Sequence, residues 1–257
     1  MLKNKKYIIS AAADGIGLKI TSFIVENGGF VYLTDIDEKK INKIKKIKKF
    51  EKKVFATKLD VNNYEEVKKY FFSLNKLKKI DGLINNVGVA GPTKNLEKIT
   101  KEEWDKTLKI NLNSHFYFSK FSIPLLKNNK SGSIVNISST AGLFGFPLRT
   151  PYAVSKWAII GLTKSLAMEL GRYKIRVNAV CPGSVKGDRM ERVINAKAKL
   201  LKTSSDKIQK EFESMTSIHS FVTKEDIASM VIYLLSKNSN NISGQAIAID
   251  GNTERMN

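Results

Sequence analysis

The chain has 257 residues, 42% of them hydrophobic, and a formal charge of +20, enough apolar content for one α/β domain with a sizeable core. Its single cysteine, Cys181, excludes an internal disulfide and a cysteine-based metal cluster, so no metal is expected. No apolar run reaches the ~18 residues of a membrane helix, and Met1–Ser10 lacks the order of a secretory leader. A cytoplasmic protein without a membrane partner is therefore expected.

In chain order, short apolar runs alternate with longer helical patterns. Strands are expected near Lys6–Ser10 and Phe30–Thr34, with the helix Leu18–Glu26 between them. Next comes K-K-I-N-K-I-K-K-I-K-K-F, Lys39 to Phe50, with Ile41, Ile44, Ile47 and Phe50 at three-residue steps. That is an amphipathic helix with a solvated lysine face. The charge excess is nearly all lysine and carries no nucleic-acid reading motif, so no nucleic-acid partner is expected. Further strands are expected near Lys53–Leu59, Asp81–Asn85, Ser133–Ser138, Arg176–Val180 and Gln245–Ile249. The intervening helices are Tyr64–Leu77, Lys101–Leu126, Pro151–Gly171 and Lys224–Leu235. Seven such strands imply a parallel sheet between helix layers, with ligands at the carboxyl ends of the strands.

The first strand runs into S-A-A-A-D-G-I-G, Ser10 to Gly17, and then into a helix. A strand, turn and helix of this kind aims backbone N–H groups at an anion, and Gly15 and Gly17 allow close approach of a pyrophosphate. Ser10, Asp14, Gly15 and Ile16 are therefore candidate cofactor contacts. Asp35 follows the second strand, where a carboxylate can accept from both hydroxyls of an adenosine ribose and repel a 2′-phosphate, which favours NAD over NADP. Lys39 and Lys40 would soften that repulsion. The alternative for Asp35, capping the next helix, can be met by Asp37. Asp60 and Val61 in L-D-V, and Asn86, Val87 and Gly88 in I-N-N-V-G, also fall at strand ends beside the crevice.

Later, Y-A-V-S-K sets Tyr152 four residues ahead of Lys156, on one face of a helix. An ammonium beside a phenol favours the phenolate and brings its pKa towards neutrality.

These motifs, in this order from Lys6 to about Gly251, resemble the short-chain dehydrogenase/reductase family. The family's cofactor loop corresponds to S-A-A-A-D-G-I-G, and its N-N-A-G strand end to N-N-V-G. Its mid-helix Asn matches Asn111 in K-I-N-L-N-S, its Ser matches Ser139 in N-I-S-S-T-A-G, and then come Y-A-V-S-K and C-P-G-S-V. The resemblance implies a single doubly wound Rossmann-like domain over 1–257 and hydride transfer between NAD(H) and a secondary alcohol or ketone. It implies Tyr152 as general acid/base, Ser139 on the same substrate oxygen, and Lys156 lowering the Tyr152 pKa and binding the nicotinamide ribose. Asn111 would hold a relay water, and Pro182, Gly183 and Val185 would wall the nicotinamide. Family members are commonly tetramers or dimers built on the helices here at Lys101–Leu126 and Pro151–Gly171, so a homotetramer or homodimer is expected. A 3-oxoacyl carrier-protein reductase is the alternative, and a non-catalytic dinucleotide-binding scaffold or sensor the alternative of another class.

Three positions depart from the family pattern. Ala11 replaces the first loop glycine, so that turn should keep negative φ or the pyrophosphate should shift. Val87 adds bulk, and Gly187 stands where a threonine often meets the carboxamide. Substrate selectivity is expected from Val89–Asn95, Ala141–Thr150 and Asp188–His219, with a lid at about 185–219. Arg149 and Arg189, two of only six arginines, fall in these segments and suit an anionic substrate.

Overall fold

The computed structural model describes residues 2–255, apart from the Asn75 side chain, so Met1, Met256 and Asn257 of the expected domain lie outside the described residues. The chain lays down β1 (Lys6–Ile9), α1 (Gly15–Glu26), β2 (Phe30–Asp35), α2 (Glu38–Lys45), β3 (Val54–Lys58), α3 (Tyr64–Ser73) and β4 (Gly82–Asn85). It continues through α4 (Lys101–Leu108), α5 (Ser114–Asn128), β5 (Gly132–Ile137), α6 (Thr150–Leu170) and β6 (Ile175–Pro182). The lid helices α7 (Asp188–Leu201) and α8 (Ser205–Ser214) follow, then α9 (Lys224–Leu235) and β7 (Ala246–Ile249).

The strands form one parallel sheet in the order β3-β2-β1-β4-β5-β6-β7. Period-two alternation builds a core on each face: Tyr7 and Ile9 of β1 pack with α1, α2 and α9, while Ile8 packs with α3, α5 and α6. The chain winds outward from β1 to β3, then returns to place β4 on the other side of β1. The crevice at the carboxyl ends of β1 and β4 is therefore the topological switch point, where such sheets bind ligands.

Boundaries moved where local chemistry outweighs hydrophobic period. The expected helix at 64–77 is α-helical only to Ser73, then tightens into a 3₁₀ turn over Leu74–Leu77. The lysine-rich helix ends at Lys45, and a 3₁₀ turn at Lys48–Phe50 tucks Phe50 into the core beside Ile41 and Ile44. The long helix expected at 101–126 divides into α4 and α5 around a π turn, Lys109–Asn113, that contains Asn111. Such turns widen a helix by one residue and often mark functional sites.

The expected lid at 185–219 contains α7 and α8, closed on their own apolar cluster of Ile194, Ala198, Ile208, Phe212 and Met215. The segment 252–255 lies against it, with Thr253 bridged to Thr216 and the Glu254 N–H donating to the Met215 carbonyl at 2.8 Å. Among the described residues, no helix is long and apolar enough to cross a membrane.

Candidate active site

The loop after β1 corrects one expectation. Ala11 has φ of +50°, so the turn keeps the left-handed conformation that a glycine would adopt there. An L-residue in that region costs ~1–2 kcal/mol, whereas glycine gives up ~0.4–1 kcal/mol through its looser unfolded chain. Ala11→Gly is therefore expected to raise unfolding stability by up to ~1 kcal/mol in urea titrations; a clear loss would show that the Ala11 methyl has a packing role.

The two glycines of the loop have different jobs. Gly15, with φ of +58°, has open space where a β-carbon would stand, so only its conformation demands glycine. At Gly17 a β-carbon would lie 2.7 Å from both the Ala12 Cα and the Asn86 Nδ2. Close packing inside the protein therefore requires glycine at 17, beyond any approach of a pyrophosphate. Asn86 braces this loop: its N–H donates to the Ser10 Oγ at 3.1 Å and its Nδ2 to the Ala11 carbonyl at 2.8 Å. Val87 is buried behind it.

At the other end of the crevice, Asp35 closes β2 and accepts from the Ala13 N–H at 3.0 Å and the Asp37 N–H at 3.1 Å. A carboxylate offers about four acceptor positions, so about two remain open. Asp37, and not Asp35, caps α2, accepting from the Lys40 N–H. Lys40 reaches across to Asp14, with Nζ 2.8 Å from the Asp14 carboxylate, whose pKa this contact holds below the usual range. Lys40 is thus already balanced and does less to soften a 2′-phosphate clash than its place in the sequence suggests. Asp60 accepts from the Asn62 N–H and Nδ2, and Val61 packs on the sheet; both stand beyond the end of β3, outside the main cavity.

That cavity, about 400 Å³, gathers Asp14, Gly15, Ile16, Asn86 and Gly88 with the residues expected to act on substrate. Pro151 sits in the first turn of α6 with a preset φ, and Tyr152 and Lys156 follow on its first turns. Lys156 is buried; its Nζ donates to the Ile137 carbonyl at 2.9 Å and lies 5.6 Å from the Tyr152 ring centroid. Ser139, just past β5, accepts from the Ala141 N–H and lines the cavity together with Tyr152. Burial alone would raise the Tyr152 pKa, but Lys156, Arg189, the Ser139 contact and Arg149 together bring it below its ordinary value. Burial pushes the Lys156 ammonium down as well, with Arg189 adding to it and Tyr152 opposing.

Asn111 does not line this cavity. It sits behind it with both amide hydrogens engaged, donating to the Val89 carbonyl and the Ser155 Oγ, while its Oδ1 accepts from the Val89 N–H at 2.7 Å. Pro182, Gly183 and Val185 form one wall, and Val185 is bridged to Val222 in the segment that leads into α9. Gly187 has φ of +135°, so a threonine there would be strained, which explains that departure through the backbone. Cys181 is core, and burial pushes its thiol up to about 11.

Several residues escaped the sequence reading. Arg192 lines the cavity one turn beyond Arg189, a spacing that could have been noticed on α7; Arg255 arrives with the segment 252–255, which no local pattern announces. His115, four residues after Asn111, is fully buried, and burial with the nearby Lys156 charge pushes its pKa down to about 3. It is a neutral imidazole behind the site.

The cavity lies at the carboxyl ends of the strands, and the chain is an oxidoreductase of the kind that acts on alcohol or ketone groups. The chain belongs to the short-chain dehydrogenase/reductase family, whose members bind NAD(P). A family model described as enoyl-(acyl carrier protein) reductase matches residues 11–252. The chain is 31% identical over 252 residues to the 3-oxoacyl-[acyl-carrier-protein] reductase FabG of Thermotoga maritima, covering 97% of this chain and 98% of that protein. Its fold is similar to NAD+-bound xylitol dehydrogenase, with TM-score 0.92, 27% identity and coverage of 97% and 99% of the two chains. It is also similar to ElxO with NADP bound, with TM-score 0.87, 27% identity and coverage of 96% and 98%.

Proposed function

We propose that the protein is an NAD(H)-dependent dehydrogenase/reductase of a small, negatively charged secondary alcohol or its ketone. The observation that carries the cofactor choice is the acidic adenosine end, where Asp35 keeps free acceptor positions and Asp14 neutralises the nearest lysine. A 2′-phosphate there would meet the Asp35 carboxylate. Bound nicotinamide supplies the hydride chemistry, and the chain supplies positioning and proton traffic.

Tyr152 gives a proton to the carbonyl oxygen in reduction and takes the hydroxyl proton in oxidation, while Ser139 donates to the same oxygen. Lys156 keeps Tyr152 acidic and reaches the ribose. Since both Asn111 amide hydrogens are already spent, a relay water would be held by its remaining oxygen lone pair or by its main-chain carbonyl in the π turn. The helices α7 and α8 act as the substrate lid. The likeness to FabG supports the carrier-protein reductase as a second reading. Turnover of alcohols and of an acetoacetyl thioester with NAD and NADP, followed by nicotinamide absorbance, decides between them. Absence of turnover with either would leave a cofactor-binding sensor.

The enzyme works as a homodimer or homotetramer in the cytoplasm. Support for assembly comes from α6, which exposes Val154, Trp157 and Met168 on its outer face, with open space beside Gly161, and from Phe116 on α5. Trp157→Lys is expected to lower the mass measured by light scattering after size exclusion. An unchanged oligomer would place the interface elsewhere.

A further inference from the structure

We propose that the substrate is a short, free hydroxy acid or oxo acid whose carboxylate lies within two or three bonds of the reacting carbon and is anchored by Arg149. This rests on the dehydrogenase reading above and adds where the negative charge sits.

Arg149 is only 4% exposed. Among the described residues its one hydrogen bond runs from Nη2 to the Ala90 carbonyl, and its Nε is buried with no partner there. No carboxylate meets it: all eight ion pairs among the described residues use lysine. A buried guanidinium with neither counterion nor a full set of acceptors destabilises the protein that carries it. Arg149 lines the cavity, so its unmet guanidinium is placed to be completed by a ligand there.

The guanidinium carbon lies 5.3 Å from the Tyr152 ring centroid and 5.5 Å from that of Phe146. A carboxylate on Arg149 and a carbonyl at Tyr152 and Ser139 therefore belong to the same small molecule. Four of the chain's six arginines, Arg149, Arg189, Arg192 and Arg255, line this one cavity. The last three are exposed, so they draw anions inward, while the buried fork fixes orientation. The apolar sides of Phe146, Met190 and Phe212 suit a short alkyl portion. An acyl thioester bears its charge on a distant carrier and would leave Arg149 unmatched.

The test uses the full chain with α-hydroxybutyrate, β-hydroxybutyrate, the methyl ester of each, sec-butanol and, in reduction, acetoacetyl-pantetheine beside acetoacetate. One of the acids is expected to show a kcat/KM ~10²-fold above that of its ester, because a site built around a charge rejects the analogue lacking it. Arg149→Lys keeps the charge but loses the fork, and should act mainly by raising the KM of the acid, by ~10-fold or more. Arg149→Met should bring the acid-to-ester preference close to one while raising the melting temperature, since it removes an unpaired buried charge. If an ester or sec-butanol is oxidised as well as its acid, the anchoring idea is overturned and the dehydrogenase reading stands. Preference for the thioester over acetoacetate overturns it in favour of the carrier reading. A lower melting temperature for Arg149→Met, with equal losses on every substrate, also overturns it by assigning Arg149 a structural role. Turnover of no compound with either cofactor overturns both readings.

Discussion

Tyr152→Phe is expected to retain dinucleotide binding and to lose ~10²–10⁴ in kcat, the usual contribution of a positioned acid/base. The substitution keeps the ring that packs beside Arg149 and Lys156 and removes only the proton-carrying oxygen. The direction of the pKa shift also fixes the pH profile. Oxidation needs the phenolate, so its rate should rise with pH and level off above a Tyr152 pKa that is lower than that of free tyrosine. Reduction needs the neutral phenol and should fall across the same range. Both limbs should vanish in Tyr152→Phe. In Lys156→Gln the limb should move to higher pH, because the largest of the pKa-lowering influences is gone. Wild-type turnover by Tyr152→Phe on a substrate of the native enzyme would mean that some other group carries the proton.

Much of this site was legible because its parts are local. A strand, a glycine turn and a helix are contiguous, so Gly15 and the start of α1 could be placed from Ser10 to Gly17 alone. The i, i+4 spacing of Tyr152 and Lys156 likewise needed only the helix. Relations between distant segments were not legible. Gly17 reads as a residue that admits a phosphate, yet its tightest neighbour from outside the loop is Asn86, on the far side of β4 in sequence. Ala11 shows the limit of propensity: tertiary bracing by Asn86 holds an alanine where only glycine is comfortable. The π turn at Asn111 left no trace in an apolar period that runs straight through it. Arg149 was noticed through scarcity, but scarcity could not reveal that it is buried and lacks a counterion.

Asp35→Ala is expected to reverse or nearly erase the preference for NAD. Each hydrogen bond to a charged group is worth ~1.5–3 kcal/mol, so losing two ribose contacts should weaken NAD by roughly 10²–10⁴. NADP should suffer less or gain, because the same carboxylate that holds a 2′-hydroxyl repels a 2′-phosphate. Asp14 and Lys40 sharpen the expectation. While Lys40 is tied to Asp14 at 2.8 Å, its ammonium is already matched and does less to offset the Asp35 carboxylate. Asp14→Asn should release Lys40 and help NADP without touching the ribose contacts, and the double variant should favour NADP most. The Ala13 and Asp37 N–H groups lose a partner in Asp35→Ala, so a general loss of folding could mimic weaker binding. The ratio of the two dissociation constants separates these effects: damage to the fold lowers both affinities together, whereas the ribose role moves them apart. Equal ratios in wild type and Asp35→Ala, from fluorescence titrations of NADH and NADPH, would show that cofactor choice lies elsewhere in the crevice.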